Sequence, residues 1–101
     1  MMQCMAKATE IIDTRDDYPE HGIVVAKCIY RLVKPNVDAP HGYSYRLHCG
    51  TLDGQTLVRF DNETGKGDHV HWGSVEEPYP FTTPEQLLAD FNQAIQSFVK
   101  G

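Results

Sequence analysis

A chain of 101 residues, 41% hydrophobic and 23% charged, has the size and makeup of one small domain, residues 1–101. Such a domain buries roughly two-thirds of the surface its unfolded chain would expose. A net charge of −5 excludes a protein that coats nucleic acid or anionic membrane over its whole surface, so any basic site must be local.

The longest unbroken apolar run, residues 23–26, is far too short to span a bilayer, so no membrane contact is expected. The stretch MMQCMAKATE has neither the basic start nor the apolar middle of a secretory leader, which points to the cytoplasm. The three cysteines, Cys4, Cys28 and Cys49, form no CxxC pair and read as free thiols. Cys28 and Cys49 fall in strand-like runs and are expected as small core residues.

In chain order, residues 7–15 alternate loosely and predict an edge strand. Its exposed side leaves a homo-oligomer open. DDYPEHG, 16–22, predicts a turn around Pro19 and Gly22. GIVVAKCIYRLV, 22–33, is β-branched and apolar on both faces, as a central strand is, and KPNVDAPHG, 34–42, is a loop. YSYRLHCGTL then runs to Asp53-Gly54 and QTLVRFDN runs away from it. Asp-Gly between two such runs predicts a hairpin with a two-residue type I′ turn. That turn would set Leu52 opposite Gln55, Cys49 opposite Val58, Leu47 opposite Phe60 and Arg46 opposite Asp61. Tyr45, Leu47, Cys49, Val58 and Phe60 would share the core face, and Arg46, His48, Arg59 and Asp61 the other.

Glu76-Glu77-Pro78-Tyr79-Pro80 reads as a proline-stiffened connector. The last element is a helix with Thr83 as N-cap, Pro84 in its first position and Gln86 three after the cap. Leu87, Leu88, Phe91, Ile95, Phe98 and Val99 form its apolar stripe. The expected fold is α+β: a four-stranded antiparallel meander with one C-terminal helix packed on a face.

NETGKGDHVHW, residues 62–72, is not explained by any apolar pattern. Gly65 and Gly67 flank Lys66, a spacing that can present backbone N–H groups and an ammonium to an anion, without the longer Walker A spacing. If residues 68–72 are extended, His69 and His71 project to one side and Val70 to the other. Three uses fit two such histidines. They can act as general acid and base in RNA cleavage at a 2′-hydroxyl, with Lys66, Arg59 or Arg46 holding the phosphate. They can ligate a metal with Asp61, Asp68 or Glu76. They can also be half-buried hairpin residues. Asp61-Asn62 favours a turn, and Asp61 can pair with Arg46 across the hairpin.

FDNETGKGDHVHW, followed by EEPYPF and LLADF, resembles the signature of the TumE-like family of small bacterial proteins. Its members are regarded as the toxin halves of toxin–antitoxin pairs and are encoded beside a helix-turn-helix protein. The similarity covers about residues 43–95 and departs from the family at two places: Phe60 stands where tyrosine is usual, and Val70 where arginine is usual. The matching positions are Asp61, Asn62, Gly65, Lys66, Gly67, Asp68, His69 and His71. The resemblance implies a type II toxin acting on RNA or translation, with a helix-turn-helix antitoxin and an RNA or ribosome target as partners.

Taken together, residues and resemblance lead to an expected metal-independent endoribonuclease with no cofactor. His69 and His71 would be base and acid, with Lys66 and Asp61 completing the catalytic group. Arg46, Arg59, Gly65 and Gly67 would bind substrate, and Asn62 and Asp68 would orient. Two rival readings are a non-catalytic module binding its antitoxin through residues 72–81, and a metal-dependent phosphodiesterase or nucleotide-modifying enzyme.

Overall fold

The computed structural model describes residues 9–62 and 67–99. Six strands, β1 (Thr9–Tyr18), β2 (Ile23–Arg31), β3 (Tyr43–Thr51), β4 (Thr56–Asp61), β5 (His69–Trp72) and β6 (Val75–Pro78), precede one helix, α1 (Pro84–Val99). The strands lie side by side in chain order and every neighbouring pair is antiparallel. The expected α+β meander with one C-terminal helix is therefore present, but the sheet has six strands rather than four.

The two extra strands correct the sequence reading. Four-residue strands are too short to show a period, and β6 occupies the stretch expected to be a stiff connector. Gly73, at φ +63°, lets the chain reverse between Trp72 and Val75, which face each other. Pro78 is tolerated because β6 is an edge strand. At the other edge, β1 continues through Asp16 and Asp17, which pair with Val25 and Val24 instead of turning. Reversal begins only at Tyr18, whose carbonyl accepts from the His21 N–H, where Pro19 brings no N–H to a ladder.

The β3–β4 register matches expectation from Arg46–Asp61 through Cys49–Val58, but the turn differs. Thr51 N–H donates to Gln55 O (2.8 Å) and Gly54 N–H to Thr51 O (3.1 Å), closing a three-residue loop of Leu52, Asp53 and Gly54. Leu52 thus does not face Gln55. Gly54 sits at φ +101°, and the ladder absorbs the mismatch between Gly50–Thr56 and Cys49–Val58. Gly50 is needed at this point: a Cβ there would lie 2.7 Å from the Gln55 carbonyl oxygen and 2.8 Å from His48 Cε1.

α1 starts as its sequence dictates. Thr83 Oγ1 accepts from Gln86 N–H (3.0 Å) and Thr83 O from Leu87 N–H (2.9 Å). Leu87, Phe91 and Ala94 are the residues it buries, against Tyr45, Leu47, Val58, Phe60 and Val70 of the sheet. Phe60 meets Phe91 and Tyr79 edge-on, with ring centroids 5.9 and 5.0 Å apart. Such pairs add about 0.5–1.5 kcal/mol each beyond the area they bury. Phe98, expected in the apolar stripe, stays 39% exposed and tilts over Trp72. Cys49 is fully buried, and burial pushes its thiol pKa up. Cys28 departs from expectation: it is only half-buried, because it lies on the sheet face away from the helix. Cys4 lies outside the described residues.

Candidate functional site

The helix covers one face of the sheet and leaves the other open. The register places two adjacent rows of side chains on that open face. One runs Arg15, Ala26, His48, Arg59, His71, Glu76 across the six strands. The other runs Asp13, Cys28, Arg46, Asp61, His69, Pro78. Residues two apart on a strand share a face, so the sequence period alone brings Arg59, Asp61, His69 and His71 into one quartet.

Within the quartet, Asp61 Oδ2 lies 2.7 Å from Arg59 Nε, and Asp61 Oδ1 lies 2.7 Å from His69 Nε2. The rings of His69 and His71 meet edge to face with centroids 4.9 Å apart. Asp61 and His69 are 2% and 3% exposed, while His71 and Arg59 are half-buried. Neither 2.7 Å approach has the geometry of a hydrogen bond. Arg59 Nε, Asp61 Oδ1, His69 Nε2 and His71 Nε2 are buried with no hydrogen-bond partner among the described residues. On the far side of the ring, His69 Nδ1 stands 2.8 Å from Gly67 O. A carbonyl oxygen only accepts, so Nδ1 carries a proton and Nε2 is the ring nitrogen on the Asp61 side. Burial, then the Arg59 charge, lower the His71 pKa, against a smaller opposing pull from Glu76. His71 is therefore neutral near pH 7. Glu76 Oε2 stands 4.0 Å from His69 Nε2, and a cavity of about 250 Å³ is bounded by Asp68, His69, Glu76, Glu77 and Pro78.

Asp68 is held elsewhere. Its carboxylate accepts from Tyr45 Oη (2.6 Å) and from His41 Nε2 (2.9 and 3.1 Å). His41 Nδ1 accepts from the Tyr43 N–H at 3.1 Å, which leaves the proton on Nε2, and its ring stacks on Phe81 at 3.8 Å. The Tyr45 hydroxyl pKa is raised, first by burial and then by its bond to Asp68. This network ties the start of β5 to the 34–42 loop. Neither His41 nor the Tyr45 hydroxyl was singled out from sequence, although a buried tyrosine needs a partner for its hydroxyl.

Asn62 is also anchored. Its Oδ1 accepts from Tyr45 N–H (3.0 Å) and its Nδ2 donates to Tyr43 O (2.8 Å). Gly67 takes φ +73° and supplies the carbonyl under His69. Gly65 and Lys66 lie outside the described residues.

Arg46 faces Asp61 in the ladder but is exposed, and the described ion contacts of Asp61 go to Arg59 and His69. Arg15 and Arg46 line a shallow cavity of about 170 Å³ with Ala26, Cys28 and His48. His48 Nε2 lies 3.0 Å from Thr56 Oγ1. Its pKa is lowered by burial first, then by Arg46, Arg59 and Arg15. A histidine pKa depressed on folding means the unfolded chain takes up its proton first, so stability falls as pH drops below the ordinary value of about 6.5. Replacing His48 by Gln should flatten this fall between about pH 6.5 and 5 in thermal melts, and an unchanged slope would refute the assignment.

Trp72 shares the helix side of the sheet with Val70. No helix among the described residues is long and apolar enough to cross a membrane. In comparison with known protein families, the family model described as toxin TumE matches residues 6–99. No curated protein and no solved structure matches the chain.

Proposed function

The chain belongs to the TumE toxin family, the toxin side of a toxin–antitoxin system, and from that premise we propose that it is an endoribonuclease acting on RNA through the open face of its sheet. The observation that carries this reading is the placement of cations. In a chain of net charge −5, the guanidinium groups of Arg15, Arg46 and Arg59 all bear on His48, and the Arg59 end of that row meets His71. A polyanion laid across the strands would be held by its phosphates and led to the two histidines. RNA suits such a site because each phosphate has a 2′-hydroxyl beside it, an internal nucleophile that needs only activation.

His71 is the histidine that a substrate reaches, while Asp61 and His69 lie beneath it. An acid–base division between the two imidazoles asks His69 to present its own proton. Its Nε2 is buried with Asp61 Oδ1 at 2.7 Å, which favours a supporting role for His69. Lys66 and the amides of Gly65 and Gly67 add a phosphate contact. Asn62 and Asp68 act by holding the two ends of the 63–67 connection in place.

The antitoxin is a helix-turn-helix protein. Trp72 and Val75, 37% and 60% exposed, stand with Glu76 and Glu77 at the β6 edge, an acidic contact for a basic DNA-binding partner. This location also fits the reading of the chain as a non-catalytic binding module.

The test uses two exposed arginines that hold no part of the core. Arg15→Gln with Arg46→Gln should weaken RNA binding about tenfold or more at low salt and lower the salt dependence by about two phosphate contacts. Unaltered affinity and salt slope would remove the RNA reading.

A further inference from the structure

We propose that Asp61 Oδ1, His69 Nε2 and His71 Nε2 form a three-ligand site for a divalent transition-metal ion of the zinc type. The proposal adds a metal to the centre of the preceding reading, but it rests on these three atoms and not on RNA being the target.

Three observations converge. The ligand atoms lie within 4.8 Å of one another, and each is buried without a hydrogen-bond partner among the described residues. Unpartnered polar atoms at such burial are costly unless something absent from the protein chain satisfies them. Second, Asp61 Oδ1 and His69 Nε2 stand 2.7 Å apart without forming a hydrogen bond. With His71 Nε2 beside them, the two atoms are close enough for one ion to serve all three. Ligands of a tetrahedral zinc ion sit about 3.3–3.6 Å apart, so closing the set asks for side-chain movements of about 1 Å. Third, His69 Nδ1–H donates to Gly67 O at 2.8 Å, which fixes the tautomer with the lone pair on the ligating nitrogen.

The donor set selects the ion. Two imidazoles and one carboxylate suit zinc, cobalt, nickel or iron better than magnesium or calcium, which prefer oxygen throughout. Three protein ligands leave a coordination position open, the pattern of catalytic rather than structural zinc. Arg59 Nε holds the other Asp61 oxygen and keeps the carboxylate to one donor atom for the ion. Asp68, the other acid beside the histidines in sequence, is excluded as a ligand because His41 and Tyr45 take its oxygens.

The experiment titrates Zn2+ into metal-stripped protein, read by calorimetry and thermal melting, with Co2+ absorption reporting ligand geometry. Expected are one Zn2+ per chain, a rise in Tm that saturates with occupancy, and no response to Mg2+. His71→Ala, checked by circular dichroism, should lose the bound equivalent, and His21→Gln, in an exposed turn, should keep it. Absence of binding, or equal binding by His71→Ala, overturns the site. An RNA cleavage assay on the same samples separates the two readings. Zinc bound with RNA untouched leaves the metal site standing and removes the RNA reading. Full cleavage by metal-stripped protein overturns the metal's part and leaves the RNA reading standing.

Discussion

Alanine at His71 is expected to abolish growth arrest when the chain is expressed without its antitoxin, and to lower RNA cleavage by about 100-fold or more. Loss of a group that touches the reacting atoms has costs of that order whether the group moves a proton or holds an ion. The fold should survive. His71 is half-buried on the open face, whereas the packing of β5 is carried by Val70, which is 5% exposed against the core. The melting free energy should therefore stay within about 1 kcal/mol of the parent. His69→Ala is the less informative change, because removing a buried ring leaves the Asp61 carboxylate facing a void. Growth arrest that persists in a folded His71→Ala protein would favour the non-catalytic binding module, with residues 72–81 as its contact.

Replacing Asn62 by alanine should destabilise the fold by about 2–4 kcal/mol, since two backbone groups of β3 lose their partners inside the protein. Asn62 stands one residue beyond β4 and continues the ladder with its side chain, accepting from Tyr45 N–H and donating to Tyr43 O. It is 3% exposed, so both bonds are made out of bulk water in the native fold. Asn62→Asp keeps an acceptor for Tyr45 but turns a carboxylate oxygen on the Tyr43 carbonyl, and it should recover less than half of the loss. Urea denaturation of the three proteins measures this directly. A loss below about 0.5 kcal/mol in the alanine variant would mean that these bonds contribute little.

The parts of the fold most legible in the sequence are those where one residue pattern has one structural outcome. Thr83, Pro84 and the apolar spacing that follows admit little besides a capped helix. The period of two placed Arg46, His48, Arg59 and Asp61 on one face, and the same period carried over to His69 and His71. The β3–β4 turn was not legible, because Asp-Gly serves two-residue and three-residue loops alike and Thr51 tips the choice by bonding Asp53 and Gln55. Strands β5 and β6 were hidden by their length, and the glutamates of β6 read as connector because an edge strand carries charge as readily as a loop does. Least visible was the tie among His41, Tyr45 and Asp68. It joins groups remote in the chain, and nothing in the spacing of a loop histidine says which carboxylate it will meet.

Arg59, Asp61, His69 and His71 all come from two neighbouring strands, β4 and β5, so the quartet is assembled by contacts that are local in the chain. Hairpins close in about 1–10 μs, yet alone they are marginal in water. The quartet becomes persistent only when Leu87 and Phe91 cover the back of the hairpin at Phe60 and Val70. A hairpin without that cover would hold the four side chains together only fleetingly.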